Sequence, residues 1–198
     1  MEVFEETSLL LATECLSIWK RIGFMAYCCE RMIPNYRLFN EETGFGSVDV
    51  LRQALDSVWT WMERAESPLD LERLVSACDL QAPDTEDFSS IYTSAALDAA
   101  SAVALTLESI ETAEVNQLIE VATLARDTAF MFSDWQSGGE ALEVSKLMHP
   151  VLELELRTQR ESLMFLKRMG EDRRHGAAQL RALWSNLQQG SLPDITTG

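Results

Sequence analysis

Histidine and cysteine are scarce in this chain of 198 residues, with two and four copies. There is no Glu-x-x-His, no His-x-x-x-His and no Cys-x-x-Cys. Structural zinc sites and di-iron helical bundles need such spacings, so no metal and no resident cofactor are expected. The four cysteines are Cys15, Cys28, Cys29 and Cys78, and the adjacent pair cannot staple distant elements. They read as reduced thiols in a cytoplasmic protein. Walker A, Gly-x-Gly-x-x-Gly and Gly-x-Ser-x-Gly are also absent, so no catalytic residue is assigned and the question of enzyme or not stays open. No uncharged apolar run reaches about 18 residues, the minimum for a membrane-spanning helix. The start, Met1-Glu2-Val3-Phe4-Glu5-Glu6, is acidic where a signal peptide is basic. No segment alternates as a strand does, and no repeat recurs at a fixed period.

Positive charge is missing from the middle of the chain. Residues 74–156 carry only Arg126 and Lys146 against 15 acids, whereas residues 157–198 have a net charge of +3. The whole chain stands at −16. A field of that sign repels phosphate backbones, so nucleic-acid binding is not expected. Two readings of the acidity stand open: solubility, or an acidic surface that mimics nucleic acid or docks a basic protein.

What the sequence does contain is helical periodicity. Ile18, Ile22, Met25, Cys29 and Met32 form one seam, and Pro34 predicts an end or kink near Ile33. Gly44 suits a left-handed cap. Ser47 starts a helix over about 48–65 with Leu51, Leu55, Val58 and Met62 as its seam. Ser67-Pro68 starts a short one ending near Asp79. Asp84 caps a long helix reaching about Ile110, and Thr112 caps the next, with Val115, Leu118, Ala122, Ala125 and Ala129 inward. A short helix is expected near 140–148. Pro150 then begins a long helix weakened at Gly170 and Gly176. The expectation is an all-α fold, a single compact bundle of seven to nine helices with mostly antiparallel neighbours, over residues 1–189, followed by a tail at 190–198.

One block concentrates polar chemistry: Glu30, Arg31, Asn35 and Tyr36 around Pro34, closed by Thr43-Gly44-Phe45-Gly46. Side chains of these types suit the backbone groups that a proline leaves without a helical partner. They also suit an anion or polar-ligand pocket with Arg31 or Arg37 as counter-charge. The pattern Glu-Arg-Met-x-Pro-Asn-Tyr-x-x-Phe followed by Thr-Gly-Phe-Gly resembles the YjaG-like family of small bacterial helical proteins, a domain of unknown function. The resemblance implies an all-α fold and no established active site. Leu55-Asp56-x-x-Trp59 fits it as well, and Asp56 is otherwise read as an exposed helix carboxylate.

Asp98 is the single charge between Phe88 and Leu107, on a helix apolar on two faces. Such a helix is expected at the centre of its bundle. Asp98 reads as a buried partner of Arg31, Arg37 or Arg126, as a functional carboxylate with a perturbed pKa, or as a group exposed at a gap in the bundle. Cys28 and Cys29, near Arg31, read as buried helix cysteines or as thiols with a lowered pKa. Arg157, Arg160, Lys167, Arg168, Arg174 and Arg181 form a basic stripe if the last helix is continuous. It is read as solvated or paired with the acidic middle, or as a contact with a second copy.

These features lead to a cytosolic, non-enzymatic protein that binds a partner or serves as structure, and that self-associates as a homo-oligomer. The first alternative is a small-molecule binder or enzyme with a polar pocket between residues 30–37 and Asp98. The second is an acidic nucleic-acid mimic.

Overall fold

The structure, a computed structural model, describes residue 9 and residues 13–64, 66, 70–112, 114–137, 149–185 and 190–193. Among these residues there are seven helices and no strand. They are α1 (Ile18–Thr43), α2 (Val48–Arg64), α3 (Leu71–Asp79), α4 (Thr93–Thr112), α5 (Val115–Gln136), α6 (Pro150–Arg168) and α7 (Arg173–Ser185). The helix expected at 140–148 and the Ser67-Pro68 start lie outside the described residues.

α1 and α4 form the centre and pack most extensively on one another. α1 also meets α2, α5, α6 and α7, while α4 meets α2, α3 and α5. The alanines of α4 explain its place. Ala95, Ala96, Ala99, Ala100, Ala102 and Ala104 are all buried, so neighbouring helices can approach closely on several sides. The seam of α2 is wholly enclosed at Leu51, Leu55, Val58 and Met62. On α1 the seam holds from Ile22 to Met32, but Ile18 is 49% exposed because it stands at the first turn.

Two boundaries differ from expectation, the start of α4 and the cap of α5, and at Pro34 and the C-terminal end the structure decides between open alternatives. Of the end or kink expected at Pro34, the end does not occur, since Pro34 lies inside α1. An interior proline costs about 3 kcal/mol, and the deep burial of α1 on both sides of Pro34 offsets that cost. One residue after the Glu30 carbonyl that Pro34 leaves without an N–H partner, the Arg31 carbonyl accepts the Ser191 N–H at 2.8 Å. α4 begins at Thr93, not near Asp84. Asp84 instead closes a local turn by accepting the Glu86 N–H at 2.9 Å. Ser90 closes the turn that leads into the helix, its hydroxyl accepting the Tyr92 N–H at 3.1 Å and its carbonyl the Thr93 N–H at 3.2 Å. Phe88 fixes the loop between, stacking edge-on with Phe39 and Phe45 at centroid distances of 5.1 and 5.2 Å. Thr112 is the last residue of α4 and not the cap of α5, a position held by Glu114.

The C-terminal end follows the weak point expected at Gly170. The helix after Pro150 breaks at residues 169–172, so α6 and α7 are separate and the basic stripe is not continuous. Beyond α7, residues 190–193 do not hang free as a tail. Ser191 and Leu192 are buried at 3% and 6% exposure against α1. Gly190 is needed for the approach, since a Cβ there would lie 2.9 Å from the Pro34 ring.

Candidate functional site

The polar block forms a tightly engaged corner. Glu30, 2% exposed, receives both Arg52 terminal nitrogens at 2.5 and 2.9 Å and the Trp59 indole N–H at 2.7 Å. This two-pronged geometry is the strong form of a charge-assisted bond. Arg52 also reaches Asp56 at 3.1 Å, and Asp56 in turn holds Arg181 of α7 at 3.0 Å. Glu30 and Asp56 therefore belong to one chain of charges running from α1 across α2 to α7. Arg52 is its link, and sequence reasoning missed it. Its position four residues before Asp56 was the available signal.

Arg31 turns the other way. It donates to Glu155 of α6 at 2.6 Å, with both side chains buried. Gln159, one turn on, donates to Glu155 and to the Ala122 carbonyl, each at 3.0 Å. Arg31 Nε and Gln159 Oε1 are buried without a partner. Glu155 and Gln159 also escaped sequence reasoning. They share the inward face of α6 with Leu152, Leu163 and Leu166, and polar residues inside an apolar seam were the signal.

Asn35 is fully buried and clips the C-terminal segment. Its amide nitrogen donates to the Ser191 hydroxyl at 2.7 Å and its oxygen accepts the Leu192 N–H at 3.2 Å. Nothing in the sequence pointed to Ser191. Tyr36 donates to the Gln81 carbonyl at 3.0 Å, and burial pushes its phenol up to about 12. Gly44 adopts the left-handed cap expected of it, at φ 72°, returning its N–H to Asn40. Gly46 at φ 71° is tighter still, because a Cβ would fall 2.0 Å from the Tyr36 hydroxyl.

Asp98 stands apart from this corner. It accepts the Thr128 hydroxyl at 2.7 Å and pairs with none of the three arginines considered for it. Arg31 holds Glu155, Arg126 holds Asp127 at 2.6 Å, and Arg37 is exposed. Burial raises the Asp98 carboxyl to about 6, against the Thr128 bond and with help from Asp127. No described contact joins Asp98 to residues 30–37. The cysteines run opposite to an activated thiol. Burial raises Cys28 well above its ordinary value and takes Cys29 and Cys78 to about 12. Cys29 lies 3.2 Å from the Thr106 hydroxyl.

Among the described residues, no three histidine, cysteine or acidic side chains converge as metal ligands. Among the same residues, no helix is long and apolar enough to cross a membrane. His149 instead caps α6, its ring nitrogen accepting the Val151 N–H at 3.3 Å.

The fold has counterparts among known proteins. A family model described as a protein of unknown function (DUF416) matches residues 10–191. The uncharacterized protein YjaG of Escherichia coli is 29% identical over 146 residues, 73% of this chain and 74% of its own length. An uncharacterized protein of Haemophilus influenzae is 26% identical over 156 residues, covering 78% and 80%. The crystal structure of a DUF416 family protein from Shewanella baltica superposes with a TM-score of 0.82 at 20% identity, covering 96% of this chain and 97% of the other. That likeness shows the fold.

Proposed function

This chain belongs to the DUF416 family, as its resemblance to YjaG-like proteins implied, and within that family we propose a non-enzymatic, cytoplasmic helical protein that binds a partner or serves as structure, and that self-associates. The observation carrying this reading is the outer surface of α6. Leu154 and Met164 are 41% and 51% exposed, and Arg157, Lys167 and Arg168 stand exposed on the same helix. The exposed charges of α6 are mixed but mostly basic, Arg157, Arg160, Lys167 and Arg168 against Glu153 and Glu161, and large apolar side chains among them suit a contact with an acidic surface. A second copy brings such a surface. Asp84, Glu86, Asp87, Glu111, Glu114 and Glu120 are all exposed, within the stretch that carries a net charge of −13.

The polar corner adds support from the other side. Glu30, Arg31, Asn35, Tyr36 and Asp56 are each held by internal partners, and Asp98 is held by Thr128. That arrangement gives little footing to a ligand pocket shared by residues 30–37 and Asp98.

Co-expression of two differently tagged copies tests the proposal. The parent copies are expected to purify together. A Met164→Glu, Lys167→Glu, Arg168→Glu variant is expected to lose its partner while keeping the parent's helical circular dichroism. Parent copies that never purify together would overturn self-association.

A further inference from the structure

A cleft of about 400 Å³ opens where α1, α6 and α7 meet. Small-molecule sites commonly occupy roughly 300–1,000 Å³ and are mostly apolar with a few polar groups. This cleft has that character. Leu154 and Phe165 of α6 line it together with Leu180 and Leu183 of α7. Leu183 is 43% exposed, so its apolar surface is still in contact with water.

Tyr27 supplies the unusual group. It lines the cleft while being only 8% exposed, and its hydroxyl has no hydrogen-bond partner among the described residues. The ring is buried while the hydroxyl oxygen still reaches solvent, so a ligand in the cleft would take the place of water on it. Burial, only partly countered by Arg31, raises its pKa, so the hydroxyl remains a proton donor near neutrality. Arg157 lines the same cleft, exposed and without a described ion-pair partner. Glu161 follows one turn later, and among the described contacts the two form no ion pair. Ser162 adds no free donor, because its hydroxyl already donates to the Gln159 carbonyl at 2.9 Å.

We propose that this cleft binds a small amphipathic carboxylate. The apolar body packs against Leu154, Phe165, Leu180 and Leu183. The carboxylate accepts from the Tyr27 hydroxyl and from the Arg157 guanidinium, whose planar fork matches its two oxygens. Both polar groups assigned to the ligand are donors, which selects an acceptor head over an ammonium. The net charge of +3 over residues 157–198 makes this the part of an acidic chain least hostile to an anion. Glu161 opposes the ligand and holds the affinity down. The cleft is separate from the polar corner but shares Leu154 and Arg157 with the α6 surface assigned to self-association, and the Met164→Glu, Lys167→Glu, Arg168→Glu variant, which keeps every cleft residue, separates ligand binding from assembly.

Octanoate titrated into the full-length protein, followed by calorimetry and amide NMR, tests this, with octanol and octylamine as matched probes. Octanoate is expected to saturate one site at least tenfold more tightly than either. Arg157→Gln and Tyr27→Phe should each weaken it about fivefold or more, the effect of losing one charge-assisted or neutral bond. Glu161→Gln should tighten it. Arg157 and Glu161 are exposed and Tyr27→Phe keeps the ring, so the variants are expected to fold, and their amide spectra report it. Three results would overturn the proposal: no saturable octanoate binding, octylamine binding as tightly, or octanoate affinity unmoved by both weakening variants.

Discussion

Asn35 in the middle of α1 donates to the hydroxyl of Ser191 at 2.7 Å, across 156 residues of sequence. The same amide accepts the Leu192 N–H, and the Arg31 carbonyl accepts that of Ser191. The C-terminal segment is thereby part of the α1 surface at its proline turn. Replacing Asn35 with Ala removes two buried bonds and should cost about 2 kcal/mol. Hydrogen exchange should show the Ser191 and Leu192 amides losing protection well before those of α4. Equal protection in variant and parent would separate the segment from Asn35.

Glu30 is the acceptor that three donors share. Glu30→Ala leaves the indole N–H of fully buried Trp59 without an acceptor and the Arg52 guanidinium with Asp56 alone. Breaking a buried pair costs about 3–5 kcal/mol. Arg52 is 33% exposed, so water relieves part of its loss and the low end is expected. Glu30→Gln should cost less, because its amide oxygen still accepts from Trp59. Urea unfolding followed by tryptophan fluorescence ranks the three proteins.

The two glycines that close α1 separate backbone strain from crowding. Gly44→Ala meets nothing within 4 Å and bears only the left-handed φ, about 1–2 kcal/mol. Gly46→Ala bears that cost and also drives a Cβ into the Tyr36 hydroxyl, so it should be clearly the worse of the two. Tyr36→Phe in the Gly46→Ala background removes the clashing oxygen. A double-mutant cycle should therefore show a favourable coupling between the two changes.

Asp98 predicts a pH dependence with a definite sign. Its folded pKa of about 6 lies above the ordinary value of 3.8, so the folded state holds its proton longer than the unfolded chain does. Stability from this group is therefore greatest at low pH, declines as pH rises from about 4 to about 6, and is flat beyond. Asp98→Asn keeps an acceptor for Thr128 and removes the charge. It should stabilise the protein on the order of 1 kcal/mol at pH 7, allowing for partial access of water, and confer no advantage near pH 4. The difference between the two proteins' unfolding free energies, measured at each pH, isolates Asp98 from the other acids.

Much of the fold was legible because it rests on apolar spacing. The α2 seam, the Gly44 cap and the central place of the alanine-rich α4 follow from local pattern alone. The errors fell where a distant contact overrode a local rule. Pro34 argued for an end or a kink, but burial of α1 on both sides carries the helix through it. Asp84 suited a cap, but Phe88 packs back on Phe39 and Phe45 and delays α4 to Thr93. The polar block was visible as a cluster of residue types. Its partners Arg52, Glu155 and Ser191 were not, because no spacing within the block names them. Asp98 was rightly singled out as a lone charge on an apolar helix, yet its partner is the neutral hydroxyl of Thr128, which a search for arginines passes over.

The proposed self-association rests on a basic, partly apolar α6 surface meeting the acidic surface of a second copy. Sedimentation velocity across a series of protein and salt concentrations tests it most directly. The account predicts an oligomer at low salt that shifts toward monomer as the Debye length falls from about 30 Å at 0.01 M to about 3 Å at 1 M. A monomer at every protein and salt concentration would contradict it.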